Sequence, residues 1–342
     1  MARSCRSRSR SDADRTHAVS TDRLTIGIDV GGTSIRAAVV DGTGTVVDTV
    51  RAPTPHSARA LDGALDRTVA LLAGRNEVTA VGLAVAGFLT ADRRVVRYAP
   101  HLPWADVPVA ERMSARIGLP VVLEHDANAA AWAEYRFGAA AGVRTTVLVA
   151  VGTGIGAALL LDGVLFRGAH GIAPELGHLQ VVPDGRACAC GKRGCWERYC
   201  SGTALVDTAI ELLAAGPDRS SQLTRDVAAD PGALTGRRIA GAAQDGDPLA
   251  VAAMGEFARW LGLGLAMVAD LFDPELVVVA GGVSESASLF LDDARGHYAA
   301  ALTGRGHRPL ARVRAAHLGD AAGLVGAADL ARHRSGRNGP SE

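Results

Sequence analysis

The sharpest chemistry in this sequence lies in its cysteines. Five are present, and four crowd into one stretch, Cys188, Cys190, Cys195 and Cys200, with Cys5 far away. His178 precedes Cys188-Ala189-Cys190-Gly191-Lys192-Arg193-Gly194-Cys195. One imidazole and three thiolates make a closed tetrahedral donor set of the kind that holds a structural Zn²⁺. Gly191 and Gly194 permit the tight turns that bring the thiolates together. Cys200 in place of His178 is a second possible set, ranked lower because it follows the turns and falls at a helix start. Glu175 and Glu197 flank the cluster. Ionised carboxylates are acceptors only, so beside an oriented imidazole they suit sugar hydroxyls; they also read simply as a turn residue and a surface charge.

A second chemistry is suggested by glycine. Asp29-Val30-Gly31-Gly32-Thr33 follows an apolar run, and Gly152-Thr153-Gly154-Ile155-Gly156 follows another. Glycine lets backbone N–H groups approach phosphate oxygens closely, Thr33 adds a hydroxyl, and Asp29 at a strand end suits Mg²⁺. A single Gly-Gly-Thr also fits a tight hairpin. Two such turns suit a phosphate chain gripped from both sides. The third site is Val121–Leu123 running into Glu124-His125-Asp126-Ala127-Asn128. A carboxylate at a strand end suits a general base, and Asp126 or Asn128 also suits a helix cap; the cap is the preferred reading for Asn128.

The elements that must position these groups alternate between strand and helix. Strands are expected at Leu24–Val30, Ile35–Val40, Val78–Val85, Thr145–Val151, Ala157–Leu161 and Leu276–Ala280. Helices are expected at Ala58–Ala73, Ala129–Phe137, Ala204–Ala215 and Leu249–Leu271. The class is therefore α/β. Strand, glycine turn, strand and Asp-Gly occur twice, ending at Asp41-Gly42 and at Asp162-Gly163. That repeat predicts two related halves facing a cleft. The segment Gly216–Pro248, rich in Gly, Ala and Asp, has no clear pattern.

Length and composition agree with two domains: 342 residues, 48% hydrophobic and 21% charged. Lys plus Arg and Asp plus Glu both number 36, which removes the electrostatic case for nucleic acid or an anionic membrane. No apolar run is long and uninterrupted enough to span a bilayer, and reduced, clustered thiols fit the cytoplasm. Residues 1–23, rich in Arg, Ser and Asp, are expected to be a disordered tail, as are residues 333–342.

Taken together, these motifs resemble the ROK family of bacterial sugar kinases and sugar-responsive repressors. The match runs from about Leu24 to Leu330 in family order: Asp-Val-Gly-Gly-Thr, Asp-Ala-Asn, Gly-Thr-Gly-Ile-Gly, Glu-Leu-Gly-His, Cys-Ala-Cys-Gly-Lys-Arg-Gly-Cys-Trp-Glu and Ala-Gly-Gly-Val-Ser. The resemblance implies a two-domain actin-like ATPase (ribonuclease H-like) fold with an interdomain cleft. Its first domain would cover residues 24–130, completed by a C-terminal helix at about 320–332, and its second residues 131–319. It implies phosphorylation of a hexose by Mg·ATP, with glucose the first expectation. Asp126 would be the base, and Gly87, His125, Glu175, His178 and Glu197 would face the sugar. Gly31, Gly32, Thr33, Gly152, Thr153 and Gly154 would hold phosphates, with Asp29 near Mg²⁺ and Gly281 and Gly282 beside the adenosine. A homodimer or tetramer is also implied. Two positions depart from the family pattern: His125 stands where Asn usually precedes the base, and Ala86 where Pro often precedes Gly87. An imidazole lacks the amide's paired donor and acceptor, which leaves the sugar open and allows a sugar-binding protein without turnover. The short stretch before Leu24 disfavours a repressor's DNA-binding domain.

Overall fold

The structure is a computed structural model, and it describes residues 23–216, 220–230 and 232–335. In chain order the first half contains β1 (Leu24–Val30), β2 (Ser34–Val40), β3 (Val46–Pro53), α1 (Ala58–Ala73) and β4 (Val78–Val85). Three short strands follow, β5 (Phe88–Leu89), β6 (Val96–Tyr98) and β7 (Ala105–Val107), then α2 (Val109–Ile117), β8 (Val121–His125) and α3 (Asp126–Phe137). The second half holds β9 (Thr146–Val151), β10 (Ile155–Leu161), β11 (Val164–Phe166), α4 (Gly202–Ala215), α5 (Gln222–Ala229), α6 (Gly236–Gln244) and α7 (Pro248–Phe272). It ends with β12 (Leu276–Ala280), α8 (Leu291–Ala301), β13 (Arg312–Ala315) and α9 (Ala322–Ser335).

The expected duplication is present as two five-stranded sheets of the same topology, β3-β2-β1-β4-β8 and β11-β10-β9-β12-β13. In each, the first three strands are an antiparallel meander and the other two add in parallel. The two glycine turns are therefore equivalent points, β1–β2 and β9–β10. Alternation along the strands buries two faces of each sheet. One face of the first sheet packs Ile26, Ile28 and Leu83 against Leu61 and Leu65 of α1 and Met113 of α2. One face of the second packs Val147, Val149 and Val277 against Leu205 of α4 and Leu261 and Leu265 of α7. The other faces look toward each other across α3 and α9.

Glycine governs how closely α9 seats. A Cβ on Gly27 or Gly82 would lie 1.9 Å from the carbonyl oxygen of Leu324 or Ala327, and one on Gly326 would lie 1.7 Å from that of Ala129. Side chains at these positions would hold the helix off the sheet. Thr25 Oγ1 donates to Ala328 O at 2.9 Å, and buried Arg332 donates to Val40 O at 2.7 Å.

Several expectations need correction. The boundary at 130/131 cuts through α3, which is one continuous helix from Asp126 because the strand before it runs on to His125. The C-terminal helix continues to Ser335, so residues 333–335 are not tail; His333 Nε2 meets Asp329 Oδ2 at 3.2 Å. Arg23, the last residue of the expected N-terminal tail, accepts at its carbonyl from Arg332 Nε at 3.1 Å, and the rest of both tails falls outside the described residues. Gly216–Pro248 contains two short helices capped by Ser221 and Thr235. Asp247 then caps α7 by accepting from the N–H groups of Leu249 and Ala250. By length and composition α7 is the one described helix that could cross a bilayer, yet 56% of that stretch is buried and its Leu261, Leu265 and Val268 lie in the second-half core.

Candidate active site

The first glycine turn is braced by Thr54, the residue after β3. Gly31 N donates to Ser34 O at 3.1 Å, Thr54 Oγ1 donates to Gly31 O at 2.6 Å, and Thr54 N donates to Thr33 O at 3.1 Å. Gly32 is needed for space, since a Cβ there would lie 2.8 Å from the Cβ of His101. Asp29 stands opposite Arg36 in the β1–β2 register and accepts from its guanidinium at 2.5 Å. Burial pushes the Asp29 carboxyl up despite this pairing, and the charge of Asp126 adds to the push.

The second turn is anchored to α4. Gly202 N donates to Gly152 O at 2.7 Å, and Thr203 Oγ1 donates to Thr153 O at 2.9 Å. A Cβ on Gly152 would meet nothing within 4 Å, whereas one on Gly154 would lie 2.4 Å from Glu197 Oε2. Gly281, at φ 85, presses on the end of β9 so closely that a Cβ would lie 2.4 Å from Val151 O. Gly281 and Gly282 thus adjoin Gly152.

Asp126 opens α3 with its side chain 43% exposed. Its Oδ1 accepts from Ala127 N at 2.7 Å and lies 3.3 Å from His125 Nε2. Asn128 does not cap the helix. It lies within the first turn and donates to Glu124 Oε1 at 3.0 Å, because the helix begins at Asp126, earlier than expected. Glu175 is pushed up, first by burial and then by the charges of Asp126 and Glu197, against the pull of His125 and His178. These five groups therefore share one electrostatic neighbourhood. Gly87 sits at the β4–β5 junction, where a Cβ would lie 2.6 Å from Tyr98 O.

His178, Cys188, Cys190 and Cys195 place their ligand atoms within 4.8 Å of one another. Tetrahedral Zn–S bonds imply S···S separations of about 3.8 Å, and the Cys190 and Cys195 sulfurs lie 3.6 Å apart. The donor set fits a zinc ion. His178 turns Nδ1 toward Cys188 Sγ (3.7 Å) and Nε2 toward Glu175 Oε2 (3.9 Å). Gly191 and Gly194 have φ of 90° and 73°, so the turns do require glycine. Cys200 does not join this set. It is fully buried in the second-half core, its thiol against Phe257 O, and burial pushes it well up. Glu197 joins the cluster to the second turn, accepting from Cys188 Sγ at 3.0 Å and from Ile155 N at 3.4 Å.

Three neighbours escaped the sequence reading: His101 beside Gly32, and Arg93 and Arg167 around Glu124. His101 carried a usable signal, a polar residue between Pro100 and Leu102 in an apolar stretch. The two arginines carried none, since their partner is remote in sequence.

A family model described as ROK family matches residues 25–334. The chain belongs to the ROK family. A glucokinase of Streptomyces coelicolor is 46% identical over 309 residues, covering 90% of this chain and 98% of that protein. A ROK family glucokinase from Streptomyces griseus, solved in complex with glucose and AMPPNP, has a TM-score of 0.81 and 45% identity, covering 91% of this chain and 99% of the other. A ROK hexokinase from Thermus thermophilus has a TM-score of 0.73 and 34% identity, covering 92% and 100%. This ROK protein accordingly has the two-domain actin-like ATPase fold, and its duplicated sheets are the two lobes of that architecture.

Proposed function

We propose that this ROK protein is a cytoplasmic kinase that transfers the γ-phosphoryl group of Mg·ATP to the 6-hydroxyl of glucose. The observation that carries the reading is the half-exposed Asp126 carboxylate at the start of α3. Its charge acts both on Asp29, which leads into the first glycine turn, and on Glu175 beside the zinc-type cluster. The 45–46% identity to two glucokinases, one holding glucose, favours that sugar among hexoses.

In this reading the sugar O–H proton passes to Asp126 as the oxygen forms its bond to phosphorus and the bond to ADP breaks. Positioning and charge stabilisation supply most of the acceleration. Gly31 N–H is donated to Ser34 O and Gly152 N–H to Gly154 O, so the remaining N–H groups of the two glycine turns receive the phosphates, and Gly281-Gly282 lies beside the nucleoside. Asp29 holds Mg²⁺ directly or through water. Arg36 must then share or release that carboxylate, and Asp320, 3.5 Å from Arg36 Nη1, offers it a second partner. Glu175, Glu197, His178 and His125 face the sugar hydroxyls, with Gly87 leaving room beside them. Zinc bound by His178, Cys188, Cys190 and Cys195 supplies a fixed charge that shapes this wall without entering the reaction. A Cys188 thiolate has no proton to donate, so Glu197 Oε1 is free for a hydroxyl in the zinc-loaded protein.

The test is a coupled ADP-release assay with Mg·ATP across glucose, mannose, fructose, N-acetylglucosamine, N-acetylmannosamine and allose. Turnover of glucose above the others, abolished in Asp126→Asn with sugar binding retained, is the expected result. Near-normal turnover in Asp126→Asn removes it as the base. Sugar binding without turnover in folded, zinc-replete protein overturns the kinase reading.

A further inference from the structure

Glu124 immediately precedes His125 and Asp126, yet faces away from them into a closed pocket of charge. Its side chain is 2% exposed. Arg167 donates to it through Nε at 3.0 Å and Nη2 at 2.6 Å, Arg93 through Nη1 at 3.3 Å, and Asn128 through Nδ2 at 3.0 Å. The backbone N–H of His125 donates to the same carboxylate at 3.2 Å. These partners come from both lobes. Glu124 is the penultimate residue of β8, the edge strand of the first sheet, while Arg167 directly follows β11, the edge strand of the second.

What lies beyond Arg167 gives the pair its meaning. Ala173 N donates to Arg167 O at 3.1 Å, closing the loop that delivers Glu175 and His178. One carboxylate therefore grips, on its own strand, the residues leading into Asp126, and across the cleft the root of the loop that bears Glu175. A buried ion pair of this kind is seldom the most stable filling for its space, since apolar side chains of similar volume usually do as well or better. Burial would raise the Glu124 carboxyl, but the Arg167 and Arg93 guanidiniums hold it below the usual range. The site is also incompletely satisfied, with Arg93 Nε and Asn128 Oδ1 buried and lacking partners. Stability alone does not account for such an arrangement.

We propose that Glu124, gripped by Arg167 and Arg93, is a positioning clamp that sets Asp126 against the Glu175–His178 wall of the sugar pocket. The clamp rests on the kinase reading only for its effect on turnover. None of the three residues is taken to touch the sugar or the nucleotide.

The test uses Glu124→Gln, Arg167→Met and the double variant in zinc-replete protein. Each single variant strands a buried partner and lowers Tm, and the double variant recovers much of that loss. A purely structural pair would regain activity along with Tm. The clamp predicts that kcat/KM for glucose stays down by about tenfold or more in the recovered double variant, with KM for ATP little changed. Return of kcat/KM to the wild-type level overturns it. Amide exchange across Gly168–His178 reads the clamp without turnover, and should quicken in all three variants. Unchanged exchange there also overturns it. A wild-type chain that phosphorylates no hexose would sink the kinase reading and leave the exchange result to judge the clamp.

Discussion

Gly152 and Gly154 sit two residues apart in one turn, and the structure assigns them opposite reasons for being glycine. A methyl group on Gly152 meets no protein atom within 4 Å, and its φ lies outside the left-handed range. Gly152→Ala should fold with unchanged Tm. If the turn cradles phosphate, the methyl group enters space that a phosphate oxygen must occupy to reach the backbone N–H. Losing one such charge-assisted hydrogen bond costs about 1.5–3 kcal/mol, which corresponds to a rise in KM for ATP of roughly 10- to 150-fold. Gly154→Ala instead drives a Cβ to 2.4 Å from Glu197 Oε2. Relieving that overlap needs a shift of about 1 Å, enough to lower kcat/KM for the sugar by about 100-fold. The assay is ADP release with ATP and glucose varied separately, beside thermal melts of both variants. Gly152→Ala with wild-type Tm and wild-type KM for ATP would refute the phosphate cradle.

Cys190→Ser should leave protein that no longer copurifies with stoichiometric zinc and melts lower, as measured by metal analysis and calorimetry. Gly82→Ala should cost about 1–3 kcal/mol through the clash with Ala327 and lower Tm by about 3–10 °C, while Gly241→Ala in α6, where a Cβ meets nothing, should be neutral or slightly stabilising. Asp29 and Glu175 have carboxyl pKa values above the ordinary range. They therefore take up protons at higher pH than typical carboxylates and stop accepting from Mg²⁺ water or sugar hydroxyls. KM for glucose should rise as pH is lowered, at a higher pH than the fall in melting temperature. Glu124 behaves oppositely. Its folded pKa is depressed, so its stabilising contribution is full above the unfolded value and is lost as pH falls through the folded one, a loss that appears only in stronger acid.

Legibility in the sequence followed how local each cause was. β1, α1 and β4 have the ranges expected, because their apolar periodicity and flanking turns sit within a few residues. The two glycine turns and the Cys-His set were readable for the same reason, and Cys200 was set apart by its place after the turns. The strands β5, β6, β7, β11 and β13 were not. Each is only two to four residues long, and such runs are strands only by virtue of their partners. Gly27 and Gly82 read as small residues in apolar strands, since nothing near them announces α9. Glu124 was visible as one member of a polar cluster, but its meaning depends on Arg93 and Arg167.

The seat of α9 also orders events in time. This helix is the last described element of the chain, and it closes a face of the first sheet to be synthesised. Until its residues leave the ribosome, Ala38 and Val40 lack Leu324, Val325 and Ala328, and the close seats at Gly27 and Gly82 stand open. The earlier lobe must wait, half covered, through synthesis of the entire later one. Nascent chains of this protein are therefore exposed to chaperones and to premature termination for longest at the end made first.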